Sequence, residues 1–237
     1  MGVERVKTYI HNFDDYIQGG VPKGHVILIS GTPGTMKSSV CYSILYNNAK
    51  NNGVRSVYMT LEQSKENLLQ QMELMGMNDP KVQEMVYVLD LATIRKNVTE
   101  MMAKGSWLQV FKMYAETVKK DLGFDLLVLD SLDVLEMAAQ LTNDRRNDLF
   151  YLFMWLRGMS ITSFLIAETP VDNINGGRFE EGYLADGVIS LKLQNIGETD
   201  VQRRIRAVKL RSTNHKTGYF SLMFSDGMFR ATQVINE

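Results

Sequence analysis

The stretch that most constrains this 237-residue chain is Gly31-Thr32-Pro33-Gly34-Thr35-Met36-Lys37-Ser38-Ser39. It follows a short apolar run, Val26–Ile29, and opens a segment that reads as a helix from Ser39 to about Asn51. Strand, glycine-bearing loop, Lys-Ser and helix, in that order, is the layout of a P-loop, whose backbone N–H groups wrap the phosphates of a nucleotide. The helix N-terminus adds partial positive charge, Lys37 meets the outer phosphates, and Ser38 offers a hydroxyl to Mg²⁺. One position departs from the pattern. A Gly, which lets the backbone approach closest, ordinarily precedes the Lys, and here that residue is Met36.

The remaining chemistry is bounded by what the chain lacks. Twenty-six Lys and Arg nearly cancel 27 Asp and Glu, so no global field advertises nucleic acid or an anionic membrane. The single cysteine, Cys41, rules out an internal disulfide framework and reads as a small core residue one turn into the helix. No apolar run approaches the roughly 18 residues of a membrane span, and the opening carries no signal-peptide pattern. A soluble, cytoplasmic protein without membrane contact is the expectation.

Residues 1–24 form a lead-in ending in the turn-rich Gly19-Gly20-Val21-Pro22-Lys23-Gly24. After the P-loop helix, Asn51-Asn52-Gly53 is a stop signal and Val54–Leu61 a second strand. Ser64-Lys65-Glu66-Asn67 opens a helix, and Val86–Leu89 is a third strand. Residues 90–105 show no period and read as a connection. A helix from about Trp107 to Leu122 precedes a buried strand, Phe124–Leu129, that ends in Asp130-Ser131. A helix from about Asp144 to Arg157, a strand Ile161–Ala167 and an aperiodic loop Asp172–Gly182 follow. From Asp186 onward, Gly187–Leu193, Arg203–Arg211, Tyr219–Phe224 and Met228–Ala231 read as successive strands. Alternating strands and helices followed by a run of strands predict an α/β fold. Its sheet is mainly parallel, flanked by helices and extended by C-terminal antiparallel hairpins over residues 186–237. No repeat or linker divides the chain, so one domain over 1–237 is expected.

Three groups carry the candidate chemistry. Asp130, at the end of a buried strand, is placed to hold Mg²⁺ together with Ser38 beside the β- and γ-phosphate oxygens of a nucleotide. Glu62, which ends the second strand, is a candidate to orient or deprotonate the attacking water. Arg203, Arg204, Arg206, Lys209 and Arg211 fall within nine residues. Uniform alternation puts Arg203, Lys209 and Arg211 on one face and Arg204 and Arg206 on the other. Those cations serve either as a phosphate-facing set or as a charged, blunted sheet edge. Nucleic-acid binding is a third reading, but no aromatic residues interleave with them. His215, in a turn, has no Cys or His neighbour to make a metal site.

Taken together, several segments resemble the KaiC-like branch of the RecA superfamily of P-loop ATPases, with the single-domain archaeal and RadA-paralogue-like members as the nearest kind. They are Asn12–Pro22, Tyr58-Met59-Thr60-Leu61-Glu62-Gln63, Leu127-Val128-Leu129-Asp130-Ser131-Leu132 and Glu180–Leu191. The most telling is Lys209-Leu210-Arg211-Ser212-Thr213-Asn214-His215-Lys216-Thr217-Gly218. The pieces occur in the family's order across nearly the whole chain. The resemblance implies a slow Mg²⁺-dependent ATPase working in a homo-oligomer, as a rule a hexameric ring, with ATP between neighbouring subunits. On that analogy Lys209 and Arg211 reach the γ-phosphate from the next subunit, with Leu210, Thr213 and His215 near the nucleotide. Hydrolysis would then drive or time a conformational or partner-binding change.

Three departures from the family pattern bear on rate: Met36 for Gly, Gln63 for a second Glu, and Gly182-Tyr183 where the clock proteins' autokinase half carries phosphorylatable residues. They predict no clock-type autophosphorylation cycle. Two alternatives stay open: a repair or recombination ATPase on single-stranded DNA, and a nucleotide-gated scaffold with little hydrolysis. An unidentified protein partner is compatible with either.

Overall fold

The computed structural model describes residues 2–91, 93, 107–139, 145–168 and 180–234. Its core is a nine-stranded sheet. The strands are β3 (Val26–Ser30), β4 (Ser56–Thr60), β5 (Val86–Asp90), β6 (Leu126–Asp130), β7 (Thr162–Ala167), β8 (Gly187–Ile196), β9 (Asp200–Leu210), β10 (Phe220–Ser225) and β11 (Met228–Gln233). The order across the sheet is β11-β10-β9-β8-β3-β7-β6-β4-β5. β8 through β5 are parallel, and β9, β10 and β11 extend the sheet antiparallel. Every residue of β3, β4, β6 and β7 is buried, as expected of parallel strands covered on both faces.

One face packs on α2 (Lys37–Asn52), α3 (Lys65–Leu74) and α4 (Pro80–Gln83), through Tyr42, Leu45, Leu68, Met72 and Val82. The other packs on α5 (Trp107–Leu122), α6 (Leu132–Ala139) and α7 (Arg145–Gly158), through Phe111, Leu135 and Phe153. Ser64 caps α3, its hydroxyl accepting from the Asn67 N–H at 3.3 Å, and Gly53 ends α2 in the left-handed conformation. Of the connection 90–105, all but Asp90, Leu91 and Thr93 lies outside the described residues. So does the loop 172–182 up to residue 179. Its last part is not aperiodic but a short helix, α8 (Glu180–Leu184), tied to α7 by an ion pair between Glu181 and Arg145.

The lead-in is more than an approach to β3. β1 (Arg5–Val6) pairs with β2 (Val21–Pro22), and between them α1 (Phe13–Tyr16) docks on β10. Tyr16 stacks on Phe220 with ring centroids 4.1 Å apart, and Phe13 meets the same ring edge-on. A Cβ on Gly20 would lie 2.2 Å from the Val6 carbonyl oxygen, so only glycine lets β1 and β2 approach. Arg5 donates to the Gly20 carbonyl and to the Thr213 hydroxyl, both at 2.9 Å, fastening the lead-in to the turn after β9. Among the described residues no helix is long and apolar enough to cross a membrane.

Candidate active site

The C-terminal ends of β3, β7, β6 and β4 lie side by side, and the residues that follow them gather at one sheet edge. This is where an open parallel sheet presents its ligand crevice. The loop Gly31–Met36 leaves β3 there. A Cβ on Gly31 would sit 2.3 Å from the Leu191 carbonyl oxygen, so the loop clears β8 only with glycine at that position. The Thr32 carbonyl accepts from the Thr35 hydroxyl at 2.7 Å and from Lys37 Nζ at 3.2 Å. Lys37 thus lies folded over the loop it would share with a phosphate. Pro33 and Gly34 are exposed and Ser39 is buried.

Met36 supplies the conformation of the glycine it replaces. It occupies the N-cap of α2 at φ 70°, ψ 29°, the left-handed region, and its side chain packs against the α2-side core. The side chain is therefore committed to the apolar interior, and the loop keeps the backbone course that glycine would permit.

Asp130 is 2% exposed at the end of β6. Tyr58, fully buried on the neighbouring β4, donates its hydroxyl to Asp130 Oδ2 at 2.5 Å, and the Ser38 hydroxyl lies close to the same carboxyl. Burial pushes the Asp130 carboxyl above the ordinary range, against the lowering effect of those two hydroxyls and of Lys37. A buried carboxylate and a hydroxyl beside a phosphate-binding loop make a hard oxygen donor set, which fits Mg²⁺.

Glu62 lies two residues beyond β4, where the Leu61 N–H donates to the Asp130 carbonyl at 2.7 Å. Its charge reaches Asp130 and also Glu168, which follows β7. Glu168 is held by its own backbone N–H, donated to Asp133 Oδ2 at 2.8 Å. Burial, then the charges of Glu62 and Asp133, push the Glu168 carboxyl above its usual value. Sequence reasoning missed both Tyr58 and Glu168. The available signal was positional: each lies in or just after a strand that neighbours Asp130.

The cation strand divides differently from its predicted alternation. Val188 pairs with Lys209 and Ile189 with Ala207, so Val208 is an extra residue that bulges β9. Lys209 and Arg211 consequently lie on the opposite face from Arg203, not on the same one. Arg203 alone meets the P-loop, its Nε donating to the Gly34 carbonyl at 3.1 Å. Ser30 pairs with Ser190, which pairs with Arg206, and Arg211 lies five residues further along, about 17 Å from the loop's level.

There, at the other end of the strand, Lys209 Nζ donates to the carbonyls of Gly182, Tyr183 and Ala185 at 2.7–3.2 Å. Burial, then Arg211, hold the Lys209 ammonium below its ordinary pKa. Arg211 donates to Asp186 Oδ1 at 2.9 Å, and Arg157 bonds the same carboxylate at 2.9 and 3.0 Å. Leu210 is core. His215 turns Nδ1 toward the Thr213 carbonyl, and its Nε2 is buried without a hydrogen-bond partner among the described residues. The structure thus brings together Lys37, Ser38, Asp130 and Glu62, and sets Lys209, Arg211, Thr213 and His215 apart from them within one chain.

Known proteins resemble the chain in fold and in sequence. In a crystal structure of the KaiC-like protein PH0186 from Pyrococcus horikoshii OT3, the fold superposes with a TM-score of 0.82 at 26% identity, covering 98% of this chain and all of that one. A UPF0273 protein of Aeropyrum pernix is 30% identical over 224 residues, 90% of this chain and 87% of that protein. The circadian clock protein KaiC2 of Synechocystis is 26% identical, and there the match covers 92% of this chain but 38% of the clock protein. The family profile described as "ATPase: KaiC" matches residues 6–229, and the chain belongs to that family of ATPases.

Proposed function

We propose that the chain is a single ATPase domain that hydrolyses ATP at the interfaces of a homo-oligomeric ring, most simply a hexamer, and uses turnover to drive or time a regulatory change. One observation carries this reading. The P-loop edge holds groups for binding phosphate, metal and water, while Lys209 and Arg211 lie at the far end of β9, away from their own chain's P-loop, which supports their serving a neighbouring subunit's nucleotide. A heterologous, ring-closing contact supplies that neighbour.

In this site the loop's N–H groups and the α2 N-terminus hold the phosphates, and Lys37 swings from the Thr32 carbonyl onto the outer ones. Ser38 and Asp130 would hold Mg²⁺, which when bound neutralises charge on the β- and γ-phosphate oxygens. Tyr58 keeps Asp130 Oδ2 engaged, so the carboxylate presents a fixed orientation. Glu62 accepts the proton of the attacking water or aligns it, with the Glu168 carboxyl close enough for the two charges to interact. The neighbour's Lys209 and Arg211 offset the charge that develops on the transferred phosphoryl group, a contribution worth ~10³–10⁵ in rate in the best cases. To do so they exchange their own-chain carbonyl and Asp186 contacts for the phosphate, which couples turnover to the α8–β8 segment.

A mixing experiment tests the shared site. Chains carrying Lys37→Ala and chains carrying Arg211→Ala are each expected to be inactive and folded. Mixed in equal amounts, they regain activity at about one interface in four, because an intact loop then faces an intact arginine. Light scattering with and without ATP and Mg²⁺ reads assembly alongside. Full activity of Arg211→Ala alone, or no recovery from a mixture that does assemble, refutes the shared site.

A further inference from the structure

The sheet extension β8–β11 carries a second charged cluster that the P-loop site does not use. Its strands floor an open cleft of about 1250 Å³. Lys192 and Arg204 face each other directly across the β8–β9 ladder, and both line the cleft. Like charges so placed repel. Arg204 is only 6% exposed, yet among the described residues it has neither a hydrogen bond nor an ion pair. Tyr219 lies against Lys192 and against Arg206, two residues along β9 from Arg204. Lys192 Nζ stands 3.9 Å from its ring centroid, the Arg206 guanidinium carbon 4.6 Å, and its hydroxyl is buried without a hydrogen-bond partner among the described residues. No Asp or Glu is among the described residues that line the cleft.

A buried guanidinium is ordinarily retained with an anionic partner, because an uncompensated charge out of water is strongly unfavourable. Here Lys192 and Arg204, the latter buried and without a partner among the described residues, line one cleft with a tyrosine whose hydroxyl also lacks one. We propose that this cleft is a second anion site, taking a small molecule that bears a phosphate group. A phosphate fits better than a carboxylate. Its charge and its several acceptor oxygens match a guanidinium fork, an ammonium and a hydroxyl together. The cleft is far larger than a lone phosphate, so the ligand has a polar body as well, met by Gln194 and Gln202 on the same wall. The site includes no P-loop residue and does not depend on the ATPase reading.

Pyrophosphate titrated calorimetrically into the full chain carrying Lys37→Ala reads the cleft with the P-loop weakened. Saturable one-to-one binding is expected, and both Arg204→Gln and Lys192→Gln should weaken it by about tenfold or more. Lys192 is half-buried, so its variant remains informative if Arg204→Gln does not fold. The proposal is overturned if the Lys37→Ala parent shows no saturable binding, or if the affinity is unchanged in Lys192→Gln. Citrate bound as tightly as pyrophosphate overturns the assignment to phosphate. An oligothymidine that binds and is lost in the same variants, with no pyrophosphate bound, overturns it in favour of nucleic acid.

Discussion

Met36 offers a prediction whose parts have opposite signs. A non-glycine residue held in the left-handed region costs about 1–2 kcal/mol in the folded chain. Against that, Met36 is half-buried on the α2-side core. Full burial of a Met is worth about 1.5–3 kcal/mol, so half is roughly 1 kcal/mol. Met36→Gly relieves the strain, loses the packing, and adds about 0.4–1 kcal/mol of unfolded-state entropy to be overcome. Its net change is within about 1 kcal/mol of zero on those terms. Met36→Ala loses the packing and keeps the strained backbone, so it falls below the glycine variant by about 0.5–1 kcal/mol. In a chain of this size that separates the two melting temperatures by about 1–4 °C. Urea and thermal unfolding of the nucleotide-free chains measure the difference. Since Met36 already holds a glycine-like backbone with its side chain turned into the core, ADP affinity in Met36→Gly should stay within about threefold of the natural chain. An alanine variant as stable as the glycine variant refutes the strain argument. A large loss of ADP affinity on going to glycine shows instead that the Met side chain itself serves the ligand.

Further perturbations test the rest of the site. Tyr58→Phe removes the one hydroxyl on Asp130 Oδ2 and should cost about 1–3 kcal/mol of stability, and Mn²⁺·ADP should lose affinity while ADP in chelator does not. Equal loss with and without metal would count against Tyr58 as the aligner of Asp130. Glu62→Gln should lower turnover by about 10²–10⁴. Glu168→Gln, which keeps the shape and removes the charge beside Glu62, should retain most of it; a loss as large as that of Glu62→Gln would mean that the charge of Glu168 itself matters. For Asp186, burial alone would raise the pKa, but the bonds from Arg157 and the Val26 N–H hold it below the ordinary value. Its stabilisation is therefore complete above the unfolded-state carboxylate range and is lost as pH falls through the lower folded value. Asp186→Asn should cost about 1–3 kcal/mol at neutral pH, less than a fully buried pair because both arginines are partly exposed. The gap between the two chains should narrow below pH ~4 in acid unfolding curves, and a constant gap would contradict the ion-pair origin. Burial pushes the Cys41 thiol well up, so thiol reagents should label it only as fast as the chain unfolds.

Much of this was legible in residue order because buried parallel strands announce themselves as apolar runs, and the loop after β3 is bound to its function by glycine spacing. The helices starting at Ser64 and Trp107 and the strand ending at Asp130 were found for the same reason: a cap or a periodicity is a local signal. Tyr58 and Glu168 were not found, because their importance comes from strand order. Tyr58 is 72 residues from Asp130, and only the pairing of β4 with β6 makes them neighbours. Nothing local distinguishes a buried tyrosine that serves a carboxylate from one that merely fills the core.

The cation strand shows how one residue can undo a pattern argument. Reading faces from alternation assumes an unbroken pleat, and under that assumption Arg203, Lys209 and Arg211 act together on one phosphate. Val208 breaks the pleat. As a residue type it fits a strand as well as Ala207 does, so spacing alone carries no trace of the bulge. The consequence is a division of labour: Arg203 meets its own P-loop at Gly34, and Lys209 and Arg211 turn to the opposite face at the far end. Deleting Val208 should restore the pleat and swing Lys209 and Arg211 onto the face of Arg203. If the two cations act on a neighbour's nucleotide, such a chain loses turnover while keeping ADP affinity, since the P-loop and Arg203 are unmoved. If instead they serve only Asp186 and the α8 carbonyls, the deletion costs stability, and turnover per folded chain stays as it was.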